Sequence, residues 1–333
     1  MSFNRIYTAL LILCLILHSS CIKIEEFPDS PQGNFEALWR IIDEHYCFFD
    51  YKNVDWDKIH REYAKLTGAV KTDEELFNLL NLMLQELKDG HVNLTSPFNV
   101  GRYWKWYEDF PENFDQDLIN NYLQTDYAIA GGLQYKILDD NTGYIRYGNF
   151  SSAISEQGLN YILSIMEKCK GIIIDVRNNG GGYLSNVEIL ASRFVEEKTL
   201  VGYIKHKTGK NHDDFSKPYP RYTEPSKHLH YYKPVVILTN RRCFSATNDF
   251  VNAMRYAPNV TIIGDQTGGG SGLPFSSEIP NGWMVRFSAS PLFDAEMNHL
   301  EFGISPDIHA ELEAGDIQKG KDTIIELARK LLN

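Results

Sequence analysis

An α/β core preceded by a small helical domain is the fold this sequence predicts, and two observations predict it. From residue 143 onward, short apolar runs alternate with amphipathic stretches, the pattern of strands exchanging with helices around a sheet. Between residues 33 and 90 the apolar positions recur only at helical spacing. With 333 residues, the chain is long enough for one large domain with an appendage or for two domains.

The first 21 residues read as an export signal: Arg5 is the positive start, Ile6 to Leu17 an apolar stretch, and Ser19-Ser20-Cys21 a small-residue cleavage site. The apolar stretch is too short for a permanent membrane span. A cysteine directly after two small residues resembles the lipobox of bacterial lipoproteins, although His18 stands where leucine is usual. Cys21 is therefore the expected lipidation site, and a lipid-anchored protein of the bacterial envelope the expected localisation; a plain secretory signal is the alternative. Without residues 1–21 three cysteines remain, Cys47, Cys169 and Cys243, too few for a disulfide framework and read as buried thiols. Net charge is −11, which disfavours nucleic acid as a partner.

Residues 22–95 form the expected helical domain. Phe35, Leu38, Trp39, Ile42 and Tyr46 mark a first helix, and Trp56, Ile59, Tyr63 and Leu66 a second. In the third, Thr72 and Glu75 make a capping box and Leu76, Leu79, Leu80, Met83, Leu84 and Leu87 one apolar face, with Gly90 as the expected C-cap. Residues 96–130 are irregular and aromatic-rich, and are read as a linker region in which Tyr103 to Tyr107 pack between domains or line a groove.

The α/β core then occupies 131–333. A hairpin turn at Asp139 to Gly143 opens it. Strands are expected at 143–147, 171–176, 200–204, 234–239 and 260–264, and helices at 153–168, 184–196 and 246–256. Residues 206–231 are polar and long for a loop, and are read as a lid or an exposed excursion. Its histidines, His206, His212, His228 and His230, lack compact ligand spacing, so no metal and no other cofactor is expected.

Four segments carry chemistry. Asp175-Val176-Arg177-Asn178-Asn179-Gly180-Gly181-Gly182 follows an apolar strand, and its glycines permit close backbone approach to a ligand, as an oxyanion hole requires; a tight strand-to-helix turn is the plainer reading. Ser245 opens a predicted helix, where unpaired amides would meet an attacked carbonyl oxygen, although taken alone it reads as an N-cap. His91, in Asp89-Gly90-His91, is a candidate general base or a solvated histidine. Glu301 enters the Gly303-Ile304-Ser305-Pro306-Asp307 turn and is otherwise a surface carboxylate.

Taken in order, with Ser245-Ala246-Thr247-Asn248 and Ile263-Gly264-Asp265-Gln266-Thr267-Gly268-Gly269-Gly270, these segments resemble the S41 serine peptidases, the tail-specific (C-terminal-processing) and tricorn-like family. The resemblance covers about residues 33 to 310. It implies a crotonase/ClpP-like spiral core, hydrolysis of protein or peptide substrates through a Ser245 acyl-enzyme, and an oxyanion held by the amides of Ala246 and Gly181. The tail-specific branch takes its base from a lysine in a Gly-Lys step, absent here at Gly269-Gly270. The tricorn-like branch takes it from a histidine and a glutamate, which carry over to His91 and Glu301, with Asp89 as the fallback carboxylate. That branch has a serine where this chain has Gly90, and the 96–130 segment is too short for the PDZ domain of many relatives. A non-catalytic binding lipoprotein on the same fold and an acyl-CoA enzyme of the crotonase type are the rival functions.

Overall fold

The computed structural model describes residues 27–333; the expected signal segment and Cys21 lie outside them. The chain opens with α1 (Pro31–His45), the single turn α2 (Phe49–Lys52), α3 (Trp56–Tyr63), a 3-10 segment (Ala64–Ala69) and α4 (Asp73–Gln85). Ser30 caps α1, and Thr72 caps α4 by accepting from the Glu75 amide at 3.2 Å. The third helix stops at Gln85, with Lys88 in the left-handed region at φ 48°. Gly90 is therefore not its C-cap.

Next come the hairpin β1 (Asn93–Thr95) and β2 (Val100–Arg102), then α5 (Lys105–Glu108), α6 (Gln116–Leu123), β3 (Ala128–Ala130), β4 (Leu133–Ile137) and β5 (Gly143–Tyr147). The core continues with α7 (Glu156–Met166), β6 (Ile172–Asp175), α8 (Leu184–Ala191), β7 (Thr199–Ile204), β8 (Tyr219–Thr223), β9 (Val235–Thr239), α9 (Ala246–Met254) and β10 (Val260–Gly264). It closes with β11 (Gly272–Glu278), β12 (Met284–Phe293), β13 (Ile308–His309), α10 (Ala314–Ile317) and α11 (Thr323–Leu331).

Seven strands form one sheet in the order β13-β10-β9-β6-β5-β4-β3, in which β13, β10, β9, β6 and β5 run parallel. Its central strands are buried on both faces, which explains their unbroken Ile/Val/Leu runs. Ile172, Ile174, Val235 and Ile237 face α7, α8 and α9, while Ile173, Val236 and Leu238 face α6 and α11. Each such side chain contributes about 1.5–3 kcal/mol. The fold class is the α/β one the sequence predicts.

A second sheet runs β2-β1-β12-β7-β8, with β11 also paired to β12. The β11/β12 hairpin has no counterpart in the sequence reading, although the apolar Val285 and Phe287 alternate along the chain with the polar Arg286 and Ser288 at the period of a strand. The α1 and α4 helices pack on Ile279, Trp283, Val285 and Phe287 of this hairpin in one apolar cluster. The first helices and residues two hundred positions later thus share a core. The 206–231 segment is not a lid: β8 within it pairs antiparallel with β7.

Candidate active site

The strand β9 delivers the chain to Ser245, the residue just before α9. Its backbone sits at φ 59° and ψ −121°, a region that L side chains rarely adopt and that costs about 1–3 kcal/mol. Three backbone hydrogen bonds impose it: Ser245 N to Gly269 O at 2.9 Å, Phe244 N to Asn179 O at 3.1 Å, and Gly268 N to Cys243 O at 2.8 Å. The hydroxyl makes no capping bond to α9. It lies 3.0 Å from Nε2 of His91, 154 positions away in the chain. A sharp strand-to-helix turn that thrusts a serine out of its helix is the geometry of a nucleophile elbow, here without the usual flanking glycines.

His91 is 3% exposed, packed against the Phe244 ring with 4.8 Å between centroids. Asp89 Oδ1 accepts the His91 amide at 2.8 Å and so sets the turn that aims the imidazole. Burial lowers the imidazole pKa to about 4, Asp89 pulling it upward and Arg286 and Lys52 downward. The ring is therefore neutral at pH 7, able to accept a proton at Nε2. Its Nδ1 has no hydrogen-bond partner among the described residues. Gly90 has no room for the serine of the tricorn-like branch, since a Cβ there would lie 2.7 Å from Trp106 Nε1 and 2.8 Å from Phe244 Cζ. Trp106 itself stacks on Phe244 at 4.3 Å, so this member of the aromatic stretch packs against the site rather than lining a groove.

Behind His91 lies a buried ion cluster that sequence reasoning missed. Lys52 Nζ stands 2.7 Å from Glu301 Oε1 and 3.2 Å from Asp89 Oδ2. Asp89 Oδ2 also accepts from Tyr46 Oη and Ser288 Oγ, both at 2.9 Å. Burial alone would raise Asp89, but Lys52, His91 and these donors hold it below the ordinary carboxylate range. Burial also pushes Glu301 up to about 7, against the pull of Lys52. The direct orienting contact expected of Glu301 is not made: its second oxygen accepts the Ser271 amide at 2.8 Å, and the carboxylate nearest in effect to His91 is Asp89. Nothing in the sequence flags Lys52, because its partners come from positions 89 and 301.

On the other side of Ser245, Gly181 makes the close approach that demands glycine. A Cβ there would lie 2.8 Å from Ser245 Cβ and 2.9 Å from Ala246 N, and its φ is 97°. Its amide, however, donates to Asn179 Oδ1 at 3.0 Å, so the donor expected from Gly181 is already engaged. Gly182 and Ala246 line the cleft instead, beside His91 and Ser245, in a cavity of about 320 Å³. The Asp175-Val176-Arg177 part of the same motif is structural. Arg177, fully buried, bonds Asp175 at 2.7 Å and, at 2.9 Å, Asp322, the N-cap of α11.

The missing dyad lysine also has a steric reason. Gly269 and Gly270 have φ of 78° and 73°, and a Cβ would meet Glu301 O at 1.8 Å or the Phe244 ring at 2.3 Å. The loop histidines are separately engaged: His206 with Ser290, His212 with Asp43 and His230 with the Ser226 carbonyl.

The sequence profile of peptidase family S41 matches residues 141–310, just over half of the chain, and that of the tricorn protease C1 domain matches 27–85. The chain belongs to peptidase family S41. A crystal structure described as a candidate peptidase from Parabacteroides merdae superposes with a TM-score of 0.88 at 54% identity, covering 92% of this chain and 97% of that one. The carboxy-terminal processing protease CtpA of Bacillus subtilis is 26% identical over 58% of this chain and 42% of its own length. Mature CPAF, at 11% identity, TM-score 0.68 and coverage of 91% and 97%, shares the fold. The chain spans less than half the length of the curated relatives it matches. No helix among the described residues is long and apolar enough to cross a membrane.

Proposed function

We propose that this protein is a serine endopeptidase in which Ser245 attacks the peptide carbonyl and His91 takes the hydroxyl proton. The 3.0 Å contact between His91 Nε2 and the Oγ of a backbone-strained serine is the observation that carries this reading. Attack forms the Oγ–C bond while the proton passes to Nε2; the imidazolium then protonates the leaving amine as the C–N bond breaks, leaving an acyl-enzyme. Water, deprotonated by the same imidazole, releases the acid and restores Ser245. Asp89 offsets the transient positive charge on His91, and Lys52 holds both Asp89 and Glu301 in place as a positioning residue. The Ala246 amide at the start of α9 supports the oxyanion; a second donor from the glycine triplet requires either Gly182 or release of Gly181 from Asn179.

Lys52 itself does not serve as base. Two carboxylates raise its pKa above the ordinary lysine value despite burial, so it carries its proton throughout the working range. One observation favours the rival reading of a non-catalytic binding module, namely that Nδ1 of His91 lacks an acceptor. Labelling with a fluorophosphonate probe and hydrolysis of a peptide library decide between them. Ser245→Ala and His91→Ala are each expected to abolish labelling and lower turnover by several orders of magnitude, with the double variant little worse. Unchanged hydrolysis in Ser245→Ala would reject the assignment.

The substrates on this reading are proteins or peptides of the bacterial envelope, and Cys21 carries the lipid anchor. Labelled palmitate should enter the wild-type chain and not Cys21→Ala; a wild-type protein wholly in the aqueous phase of a detergent partition rejects the anchor.

A further inference from the structure

The cleft beside Ser245 is lined by one imidazole, one carboxylate and one guanidinium, those of His91, Asp249 and Arg286. His91 is neutral at pH 7. Asp249 is matched by Arg221, whose two terminal nitrogens reach its two oxygens at 2.6 and 2.7 Å. Arg286 is different. Its guanidinium makes no hydrogen bond or ion pair with any described residue, although the side chain is half-buried.

Its position is set by the strand. In β12, Val285 and Phe287 turn into the core under α1 and α4, so Arg286 shares the opposite face with Ser288, which bonds Asp89. Across the sheet Arg286 pairs with Asn93, two residues past His91, and with Ser276. Asp89 feels its charge but lies beyond ion-pair range and is already saturated by Lys52, Tyr46, Ser288 and the His91 amide. The cleft thus carries one uncompensated positive charge next to the reacting serine, walled by Leu273, Pro274, Leu184 and Leu292. A partly desolvated guanidinium with five free donors is costly unless a planar anion completes it, and carboxylate fits its fork in two parallel bonds.

We propose that Arg286 is a specificity-determining residue that binds a carboxylate of the substrate close to the scissile bond, beside an apolar side chain. This rests on the peptidase reading for the placement of the scissile bond but not for the binding itself. The carboxylate comes either from an Asp or Glu side chain or from the free end of the peptide.

The test measures binding separately from turnover. The full chain carrying Ser245→Ala, in detergent, is titrated by fluorescence anisotropy with four matched apolar peptides: neutral and amidated, amidated with Glu, amidated with Lys, and neutral with a free terminus. At least one carboxylate peptide is expected to bind roughly 10- to 100-fold tighter than the neutral amide, the net value of about one charge-assisted hydrogen bond, because the half-exposed guanidinium gives up water to make its two. Which one does so identifies the source. Adding Arg286→Gln should bring the affinities within about twofold of one another, while Arg286→Lys keeps part of the preference. Equal affinities in the Ser245→Ala chain, absence of measurable binding, or a preference that survives Arg286→Gln overturns the proposal. A carboxylate preference in a chain whose intact Ser245 form cleaves none of the four peptides instead overturns the peptidase reading and leaves Arg286 as assigned.

Discussion

Replacing Lys52 with methionine removes a buried ammonium from between two carboxylates while keeping most of the side-chain volume. Asp89 then keeps three donors, Tyr46, Ser288 and the His91 amide, and stays ionised, whereas Glu301 keeps only the Ser271 amide. Breaking a buried ion pair from one side costs about 3–5 kcal/mol when the orphaned charge cannot be neutralised. Glu301 can be neutralised, since its carboxyl already titrates at about 7 with Lys52 present, and loss of the cation moves that value higher. A carboxyl whose folded pKa lies above its unfolded one loses stability as pH rises between the two values, by about 1.4 kcal/mol per unit. The penalty of Lys52→Met should therefore have a part that is constant with pH, set by the Asp89 charge left without its cation, and should grow by about 2 kcal/mol between pH 7 and 8.5 as Glu301 ionises in the wild type and not in the variant. Urea unfolding followed by tryptophan fluorescence at three pH values reads this directly. A penalty that does not change with pH, or none at all, refutes the cluster as described. In the same variant peptide hydrolysis should fall but stay well above the Ser245→Ala background, because the base, His91, remains in contact with Ser245.

The pH dependence of kcat/KM should show an ascending limb near about 4, reaching its plateau by about pH 6, instead of the limb near 6.5 expected of an unperturbed histidine. The same depressed value means that His91 costs stability as pH falls from about 6.5 to about 4, to a total of about 3 kcal/mol, and His91→Asn should remove that slope from the urea midpoint. Ser245→Gly should be more stable than Ser245→Ala by about 1 kcal/mol, because glycine relieves the positive φ, and both should be inactive; equal stabilities would show that the turn is unstrained. Arg177→Met should cost about 3–5 kcal/mol in urea unfolding without altering fluorophosphonate labelling of the fraction that folds, since it ties β6 to α11 and does not touch the cleft.

The parallel sheet was legible because its strands are buried on both faces, so each reads as a continuous apolar run at a predictable length. The β11/β12 hairpin was not, because Gly272 to Glu278 is largely solvated and its run of Leu273, Pro274 and Phe275 resembles a loop. Lys88, not Gly90, takes the left-handed turn after α4, and Gly90 is required instead by the Trp106 and Phe244 rings packed over it. At the site, glycines and an elbow serine announce themselves because backbone constraint is local. Ion partners do not, because charge complementarity acts through space.

The sequence by itself determined the family, the order of its segments and the residues whose chemistry stands out: Ser245, His91 and the glycine triplet. It showed that no lysine follows Gly268, but the steric reason, positive φ and the crowding of Gly269 and Gly270 by Glu301 O and the Phe244 ring, belongs to the structure. The tertiary structure alone decided that His91 meets Ser245, that the Gly181 amide is spent on Asn179, and that Glu301 answers to Lys52 instead of the imidazole. The physical reason is one of range: backbone conformation is set within a few residues. The pairing of Lys52, Asp89 and Glu301, by contrast, follows from helices at the start of the chain docking on β12 near its end.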